Sequence, residues 1–375
     1  MSLDDLDVAE LRQRQSEKWG RWQGDVLGLG IAEMDFPLAE PVREVLVRAV
    51  ERGDCGYVDD QNPALAEAFA GFAADEWGWT VDPAGVLPAT DVMLGIEQVL
   101  LRVTDPEDVV VINPPVYPPY FVTIAGIGRR LAEVQLVEGR LDLEGIEAAF
   151  AGGARAMLLC SPHNPTGRVV PAAELRELAA IAARHDATVI ADEIHAPLVL
   201  GEARHQPFLA LGGEAAEVGI TVTSTSKGWN LAALKCAVVV AAEGPKRQVL
   251  RSLSPGACDR VGYLGWLASV AAWNDGREWL AEVRAVLKRN RDLLAELLTE
   301  QLPQARWTPG DAGYLAWIDF RALDLGDDPA AALLERGVAL THGPPFGPPG
   351  RGYARLNFAT SEAILREAVT RLSRE

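Results

Sequence analysis

Short apolar runs alternate with longer segments of helical character through the middle of the chain. The runs at 108–112, 156–160 and 188–191 are short, almost wholly apolar and bounded by polar or proline-containing turns, which predicts buried strands. Segment 91–103 spaces its apolar residues at helical intervals, and segment 171–185 opens on a proline, which suits a first helical turn. This alternation predicts an α/β fold with a mostly parallel central sheet flanked by helices.

The last third of the chain has a different pattern. A long amphipathic stretch from 271 to 302 predicts one helix, and prolines separate it from a final unit. That unit has predicted strands near 314–319 and 354–358 and a closing helix over 361–371. We expect two domains: a large one over 46–284, and a smaller α+β one formed by 1–45 and 285–375.

Composition narrows the functional classes. The formal net charge of −18 argues against nucleic acid or an anionic membrane surface as the main partner. The first 17 residues lack the apolar core of a signal peptide, and no run of about 18 apolar residues predicts a membrane helix. The four cysteines show no spacing suited to zinc. We expect a cytoplasmic protein without a metal site.

Three short segments carry the chemistry: 161–167 (SPHNPTG), 191–195 (ADEIH) and 224–227 (STSK). Only five lysines occur in the chain, so a lysine kept in a Ser/Thr-rich turn between the predicted strands 221–223 and 237–241 is notable. In this order the segments supply what pyridoxal 5'-phosphate (PLP) chemistry requires.

Each of the three segments contributes one functional group to that chemistry. The Lys227 amine would form a Schiff base and then carry the proton from the substrate Cα. The Asp192 carboxylate, at the end of an apolar strand, would keep the pyridine nitrogen protonated. The Asn164 amide, held in an extended backbone by the following proline, would donate to the phenolic oxygen O3'. Here the chain resembles the fold-type I PLP enzymes, the aspartate-aminotransferase-like superfamily.

The phosphate of such a cofactor needs amides at a helix start, together with hydroxyl groups. Thr90 and Val92 flank the start of the predicted 91–103 helix, and Ser224 is a second donor. Asp91 departs from the small residues usual at this turn, and it would repel a dianion unless its side chain caps the helix. Lys235 stands eight positions after Lys227, where the superfamily often has a phosphate-binding arginine. Two interpretations of Lys235 are open: it contacts the phosphate, or it has a packing role.

Three more residues complete the predicted site. Tyr117 lies in a proline-framed loop and would stack on the cofactor ring. The resemblance implies that Arg355, on a strand with apolar neighbours, binds the substrate α-carboxylate through its bidentate guanidinium. His195 stands where related aminotransferases often have a tyrosine near O3', and it could support the cofactor or be merely structural.

Further motifs place the chain within the superfamily. The segments SEKW (16–19), AEMDF (32–36), GY (56–57), PVYPP (115–119) and RLNF (355–358) resemble those of the cystathionine β-lyase-like C–S lyase subgroup. One departure is Glu33, where the subgroup usually has Asp. The resemblance implies a homodimer in which Tyr57 contributes to catalysis and substrate binding and reaches the phosphate in the neighbouring subunit.

The expected reaction is therefore an α,β-elimination. A cysteine S-conjugate such as cystathionine would lose its thiol and yield pyruvate and ammonia. A true aminotransferase is the alternative, because the same residues support both reactions. A regulatory protein that acts through protein contacts is the third possibility.

Overall fold

The computed structural model describes residue 3 and residues 5–59, 61–253 and 260–374. Within these ranges no helix is both long and apolar enough to cross a membrane. The α-helices are Val8–Leu11, Glu17–Gly20, Glu40–Glu51, Ala64–Trp77, Val92–Val103, Pro119–Gly126, Leu143–Ala151, Ala172–Arg184, Gly213–Val218, Thr225–Gly228, Pro245–Arg251, Tyr263–Asp275, Arg277–Gln301, Pro329–Glu335 and Glu362–Leu372.

A seven-stranded sheet forms the centre of the fold. In spatial order its strands are Val86–Ala89, Ala237–Val240, Gly219–Thr223, Thr188–Asp192, Ala154–Cys160, Val109–Ile112 and Arg130–Glu133. The last five run parallel to one another, and Ala237–Val240 pairs antiparallel with both of its neighbours, Val86–Ala89 and Gly219–Thr223. The predicted α/β fold with a mostly parallel sheet is confirmed.

The Thr188–Asp192 strand shows why its sequence is almost wholly apolar. Successive side chains point to opposite faces of a sheet. Ile190 belongs to the apolar cluster that contains Ile96, whereas Val189 and Ala191 belong to the cluster on the other face, which contains Leu178. Helices cover both faces, so only apolar residues occur between Thr188, whose hydroxyl accepts from Lys246 Nζ, and Asp192 at the carboxyl end.

The carboxyl ends of the parallel strands meet at one edge of the sheet. Cys160 and Asp192 are register partners at the ends of adjacent strands, and the Ser161 amide donates to the Asp192 carbonyl at 3.0 Å. The next strand ends at Thr223, directly before the lysine turn. The fold therefore brings the three chemical segments of the sequence to a single edge.

A second, antiparallel sheet forms in the C-terminal third from Thr341–His342, Tyr353–Asn357 and Leu315–Asp319, with Tyr353–Asn357 in the centre. The N-terminal segment joins this part of the chain, because Leu27–Gly28 pairs in parallel with Val338–Ala339. The division of the chain into 46–284 and the two ends stays a prediction.

The long helix predicted over 271–302 is wrong in one respect, since the segment contains two helices. Tyr263–Asp275 ends before Gly276, and Arg277–Gln301 begins after it. The Gly276 carbonyl accepts a hydrogen bond from Trp229 Nε1 at 2.9 Å, and a Cβ on Gly276 would lie 2.6 Å from that nitrogen. Close packing against a buried indole therefore requires glycine at the break.

A buried ion pair anchors the segment that leads to Gly30 and Ala32. Lys18 Nζ lies 2.9 Å from Asp35 Oδ2, and both side chains are completely buried. Trp19 Nε1 donates to the other carboxylate oxygen at 2.6 Å, and Lys18 Nζ also donates to the Glu33 carbonyl at 3.1 Å. Burial lowers the pKa of Lys18, an effect that the Asp35 charge opposes. Each charge of the pair therefore depends on the other.

Replacing Lys18 tests this anchor. In Lys18→Met, Asp35 keeps a buried charge without its partner, so we expect the free energy of unfolding to fall by about 3–5 kcal/mol. The double variant Lys18→Met/Asp35→Asn removes that charge and keeps an acceptor for Trp19, so it should recover most of the loss. Urea unfolding compares the parent, the single variant, the double variant and the control Arg21→Met. Arg21 forms an exposed ion pair with Glu17. Equal losses in Lys18→Met and Arg21→Met would contradict the prediction.

Candidate active site

A cavity of about 370 Å³ lies at the carboxyl edge of the parallel strands. Nine of the residues predicted from sequence line it: Val92, Tyr117, Asn164, Asp192, His195, Ser224, Lys227, Lys235 and Arg355. They come from both sheets and from the turns between them, so the fold collects residues that are distant in sequence.

Lys227 lies on the short helix Thr225–Gly228. Ser224 caps this helix by accepting a hydrogen bond from the Ser226 amide at 3.0 Å, which fixes the direction of the lysine turn. Lys227 Nζ donates to the Ala32 carbonyl at 3.0 Å. Burial, and then the positive charge of Arg355, lowers the pKa of Lys227 to about 8. A substantial fraction of the amine is therefore neutral, and nucleophilic, at weakly alkaline pH.

Asp192 ends its strand with a buried carboxylate. Its Oδ1 accepts a hydrogen bond from the Ile194 amide at 3.1 Å, and its Oδ2 accepts one from the Tyr120 hydroxyl at 2.7 Å. Burial raises the pKa of Asp192 to about 6, so the carboxylate is still mostly ionised at neutral pH. A buried anion of this kind is suited to a cationic ring nitrogen.

Arg355 occupies the centre of the smaller sheet and is buried beneath the cavity. Its guanidinium donates to Asn164 Oδ1 at 3.0 Å and to Thr341 Oγ1 and the Gly30 carbonyl at 3.3 Å each. One face lies over the Phe346 ring, 5.2 Å from its centroid. Burial lowers the pKa of Arg355 to about 10.

No carboxylate of the described residues forms an ion pair with Arg355, and its Nε has no hydrogen-bond partner there. A buried cation without a counterion is costly for the protein alone. The arrangement is therefore suited to an anionic ligand, such as a carboxylate held by two parallel hydrogen bonds.

Asn164 lies in the loop that follows the Ala154–Cys160 strand. The backbone N–H of Asn164 donates to Cys160 Sγ at 3.3 Å. Gly167, with φ of 69°, closes the loop by donating its backbone N–H to the His163 carbonyl at 2.7 Å. Because Oδ1 accepts from Arg355, the side-chain nitrogen of Asn164 is left to donate. It makes no hydrogen bond within the described part of the chain.

A further part of the cavity lining combines the start of the Val92–Val103 helix with Lys235. Asp91 Oδ1 accepts a hydrogen bond from the Leu94 amide at 2.8 Å, so its side chain caps the Val92–Val103 helix as the sequence required. Its Oδ2 lies 3.0 Å from Lys235 Nζ. The first amides of a helix have no acceptor within it, and with Lys235 they form an environment suited to an anion.

The hydroxyl groups near this end differ in availability. Ser224 donates to the Cys236 carbonyl at 2.6 Å and accepts from the Ser226 amide, so both functions of its hydroxyl are in use. Ser226 also lines the cavity, although sequence reasoning did not select it. The hydroxyl of Thr90 is buried without a partner among the described residues, and Thr90 does not line the cavity.

Two aromatic rings and a histidine surround the Asp192 end. Tyr117 is half-buried and contacts Tyr120 edge to face, with centroids 5.8 Å apart. Burial lowers the pKa of His195 to about 3, so this histidine is neutral, and its Nδ1 lacks a partner within the described ranges. Tyr120 was missed from sequence, although it lies in the first turn of the Pro119–Gly126 helix, three positions after the predicted stacking tyrosine.

Tyr57 is separate from this cavity. Its side chain is 95% exposed, and it is not among the lining residues. Its predicted contribution to a neighbouring subunit stays a prediction, as do the roles of the residues that line the cavity.

The chemistry of the cavity fits PLP. Lys227 offers an amine of lowered pKa for an aldehyde, and Asp192 offers a buried carboxylate for a pyridine nitrogen. The first amides of the Val92–Val103 helix and Lys235, which also pairs with Asp91, offer donors that suit a phosphate group. The buried guanidinium of Arg355 suits a further carboxylate.

The comparisons with known proteins agree with this geometry. A family model described as aminotransferase class I and II matches residues 24–372. The cystathionine beta-lyase of Corynebacterium glutamicum is 38% identical, over 98% of this chain and 98% of its own length. A solved structure from Corynebacterium diphtheriae, assigned as a PLP-dependent beta-cystathionase, has 37% identity and a TM-score of 0.95, with 99% of this chain and 98% of the other covered.

A more distant structure is cystalysin from Treponema denticola, which contains a pyridoxal 5'-phosphate cofactor. It is 25% identical, with a TM-score of 0.89 and 96% of each chain covered. Family model, sequence and fold all extend over nearly the whole chain. This chain therefore belongs to the class I and II aminotransferase family and has the fold-type I PLP-dependent transferase fold.

Proposed function

We propose that this protein is a PLP-dependent C–S lyase that eliminates a thiol from a cysteine thioether, such as cystathionine, after which water hydrolyses the remaining aminoacrylate to pyruvate and ammonia. One observation carries the proposal: a buried arginine without a counterion among the described residues, Arg355, shares a cavity with Lys227 and Asp192. The full-length similarity to the Corynebacterium glutamicum cystathionine beta-lyase favours elimination over the other reactions of the family.

Two residues would act on the reacting groups. When bound, PLP supplies an electron sink for the charge that develops at the substrate Cα. Lys227 would hold the cofactor and then take the Cα proton, and its lowered pKa makes the neutral amine available for both tasks. Asp192 would pair with the pyridine nitrogen and keep it protonated.

Other residues of the cavity would hold the cofactor. Tyr117 would lie against the ring, and the free amide nitrogen of Asn164 would donate to its phenolic oxygen. His195, neutral and close to Lys227, would support that side of the ring as a hydrogen-bond partner. The phosphate would be bound by Val92 and Lys235, which line the cavity. For Thr90 and Ser224 to bind it as well, the buried Thr90 hydroxyl would have to turn towards the cavity, and the Ser224 hydroxyl would have to release the Cys236 carbonyl.

Arg355 would bind the substrate carboxylate and thereby orient the Cα–H bond towards Lys227. The guanidinium is already held by Asn164, Thr341 and Phe346, so little side-chain entropy is lost on binding. A thiolate of low basicity then leaves from Cβ. This preorganisation supports catalysis because the reacting bond is aligned before the proton moves.

The proposed enzyme is a cytoplasmic homodimer whose sites are shared. In that dimer the Tyr57 ring, which is 95% exposed in one chain, would enter the site of the second copy. Cys55, Cys160 and Cys236 are free thiols, as a reducing compartment favours. Cys258 lies outside the described residues.

Elimination without a keto acid tests the reaction. The PLP-loaded protein, given cystathionine alone, should release pyruvate and free thiol over many turnovers, because each elimination regenerates the starting cofactor. Lys227→Ala should show no turnover under the same conditions. Product that stops at about one equivalent per site, and resumes only when a keto acid is added, would identify an aminotransferase.

Replacing Arg355 tests carboxylate binding. In Arg355→Met we expect kcat/KM to fall by roughly tens- to a thousand-fold, which corresponds to about 2–4 kcal/mol for a desolvated bidentate contact. The ligand-free variant should unfold at a higher temperature than the parent, because an uncompensated buried charge is removed. The matched control is Arg321→Met, since Arg321 also lies 5.2 Å from an aromatic centroid, that of Tyr353, but is exposed.

The control variant should keep the parental kcat/KM. Steady-state kinetics with cystathionine and a thermal unfolding scan of the apoproteins provide the measurements. Parental kcat/KM in Arg355→Met would contradict the proposed role of the guanidinium.

Subunit mixing tests the shared site. Tyr57→Phe and Lys227→Ala homodimers should each be impaired, whereas a mixed dimer contains one site that escapes both changes. We expect activity to appear when the two variants exchange subunits, and no gain when Lys227→Ala is mixed with itself. Native mass spectrometry establishes the exchange, and a demonstrated mixed dimer without activity would argue against the shared site.

A further inference from the structure

Tyr120 contacts the carboxylate that the proposed function pairs with the cofactor. Its side chain is completely buried, and its hydroxyl donates to Asp192 Oδ2 at 2.7 Å. Tyr120 lies on the Pro119–Gly126 helix, whereas Asp192 ends a strand of the central sheet, so this contact joins two separate elements. We propose that Tyr120 is a positioning residue that holds the Asp192 carboxylate in one orientation and in its ionised form, an inference that rests on the proposed function.

The geometry fixes the orientation of the carboxylate from both sides. Oδ1 accepts from the Ile194 amide at 3.1 Å, and Oδ2 accepts from Tyr120. Rotation of the carboxylate would break both bonds in a buried position, which is costly. Neither donor can follow the rotation, because one is backbone and the Tyr120 ring is packed in the apolar cluster with Ile112 and Ile124.

The same hydrogen bond favours the charged form of Asp192. Burial raises the pKa of Asp192 to about 6, and the two donors oppose that rise. Loss of the Tyr120 hydroxyl would leave Oδ2 buried without a donor, so the pKa of Asp192 would rise further. Burial and the nearby carboxylate raise the pKa of Tyr120 well above its usual value. The hydroxyl therefore remains protonated, and remains a donor, across the neutral range.

Other titratable groups face Asp192 but do not replace this donor. The negative charge of Glu193 raises the pKa of Asp192, and the positive charge of Lys227 lowers it. Cys160 and Tyr117 remain neutral, because burial raises the pKa of each. Within the described residues, Tyr120 is the side chain that donates a hydrogen bond to the Asp192 carboxylate.

Cofactor affinity as a function of pH tests the proposal without substrate. PLP is titrated into apoprotein between about pH 5 and 9, and quenching of tryptophan fluorescence gives the dissociation constant. The acid limb of the affinity profile is the range in which affinity falls as the pH is lowered. In Tyr120→Phe this limb should move to higher pH by about one unit, while affinity near pH 9 changes little. Site-specific 3-fluorotyrosine at position 120 is a stronger donor, so its acid limb should move downward.

The matched control is Tyr263→Phe, which also removes a tyrosine hydroxyl bonded to an aspartate, 2.9 Å from Asp54, but at an exposed site. Its acid limb should coincide with the parental one. The PLP phosphate titrates near pH 6 in every protein compared, so the difference between variants is the measured quantity.

Three results would overturn the positioning role: coincident acid limbs in the parent and Tyr120→Phe, equal weakening at every pH, or a shift of the same sign in both Tyr120 variants. Equal weakening would indicate packing alone. If Tyr120→Phe fails to fold, the 3-fluorotyrosine protein carries the test, since it keeps the ring and the hydroxyl. A parental protein that never binds PLP would refute the proposed function. If the parent binds PLP and eliminates thiol but Tyr120→Phe has the parental acid limb, only the role of Tyr120 is refuted.

Discussion

Desolvation of charged side chains is the constraint on which the candidate site depends. Burial shifts the pKa of Lys227, Asp192 and Arg355 towards the neutral form in each case, downward for the two bases and upward for the acid. Arg355 lacks a carboxylate partner within the described residues. Such a cavity destabilises the protein alone and becomes favourable when a ligand brings complementary charges. Cofactor and substrate binding are therefore expected to stabilise the fold.

The apolar core holds these groups in place. The Thr188–Asp192 strand is covered by helices on both faces, so Asp192 has little freedom at the point where the strand ends. The Lys18–Asp35 ion pair anchors the N-terminal segment, whose Ala32 carbonyl accepts the Lys227 hydrogen bond. An ion pair distant in sequence from Lys227 thus helps to hold the carbonyl that its amine contacts. Packing energy of the scaffold offsets the cost of the buried charges.

The sequence predicted what depends on local pattern. The strand ending at Asp192, and the helix capped by Asp91, follow from apolar periodicity and capping preferences, and the structure confirms both elements. The break at Gly276 was missed, because it depends on a contact with Trp229 that is remote in sequence. Tyr120 was missed for the same reason, since only the fold shows which group its hydroxyl meets.

Asn164 connects the two halves of the site. Its Oδ1 accepts from Arg355, on the smaller sheet, while Asn164 itself follows a strand of the central sheet. This 3.0 Å bond makes the position of the Arg355 guanidinium depend on the loop that carries Asn164. A substrate carboxylate that accepted hydrogen bonds from Arg355 would compete with Asn164 Oδ1 for donors of the same guanidinium. In the proposed enzyme, substrate and cofactor binding would therefore be linked through the Asn164 side chain, and its hydrogen bond to Arg355 offsets the cost of burying this polar group between the sheets.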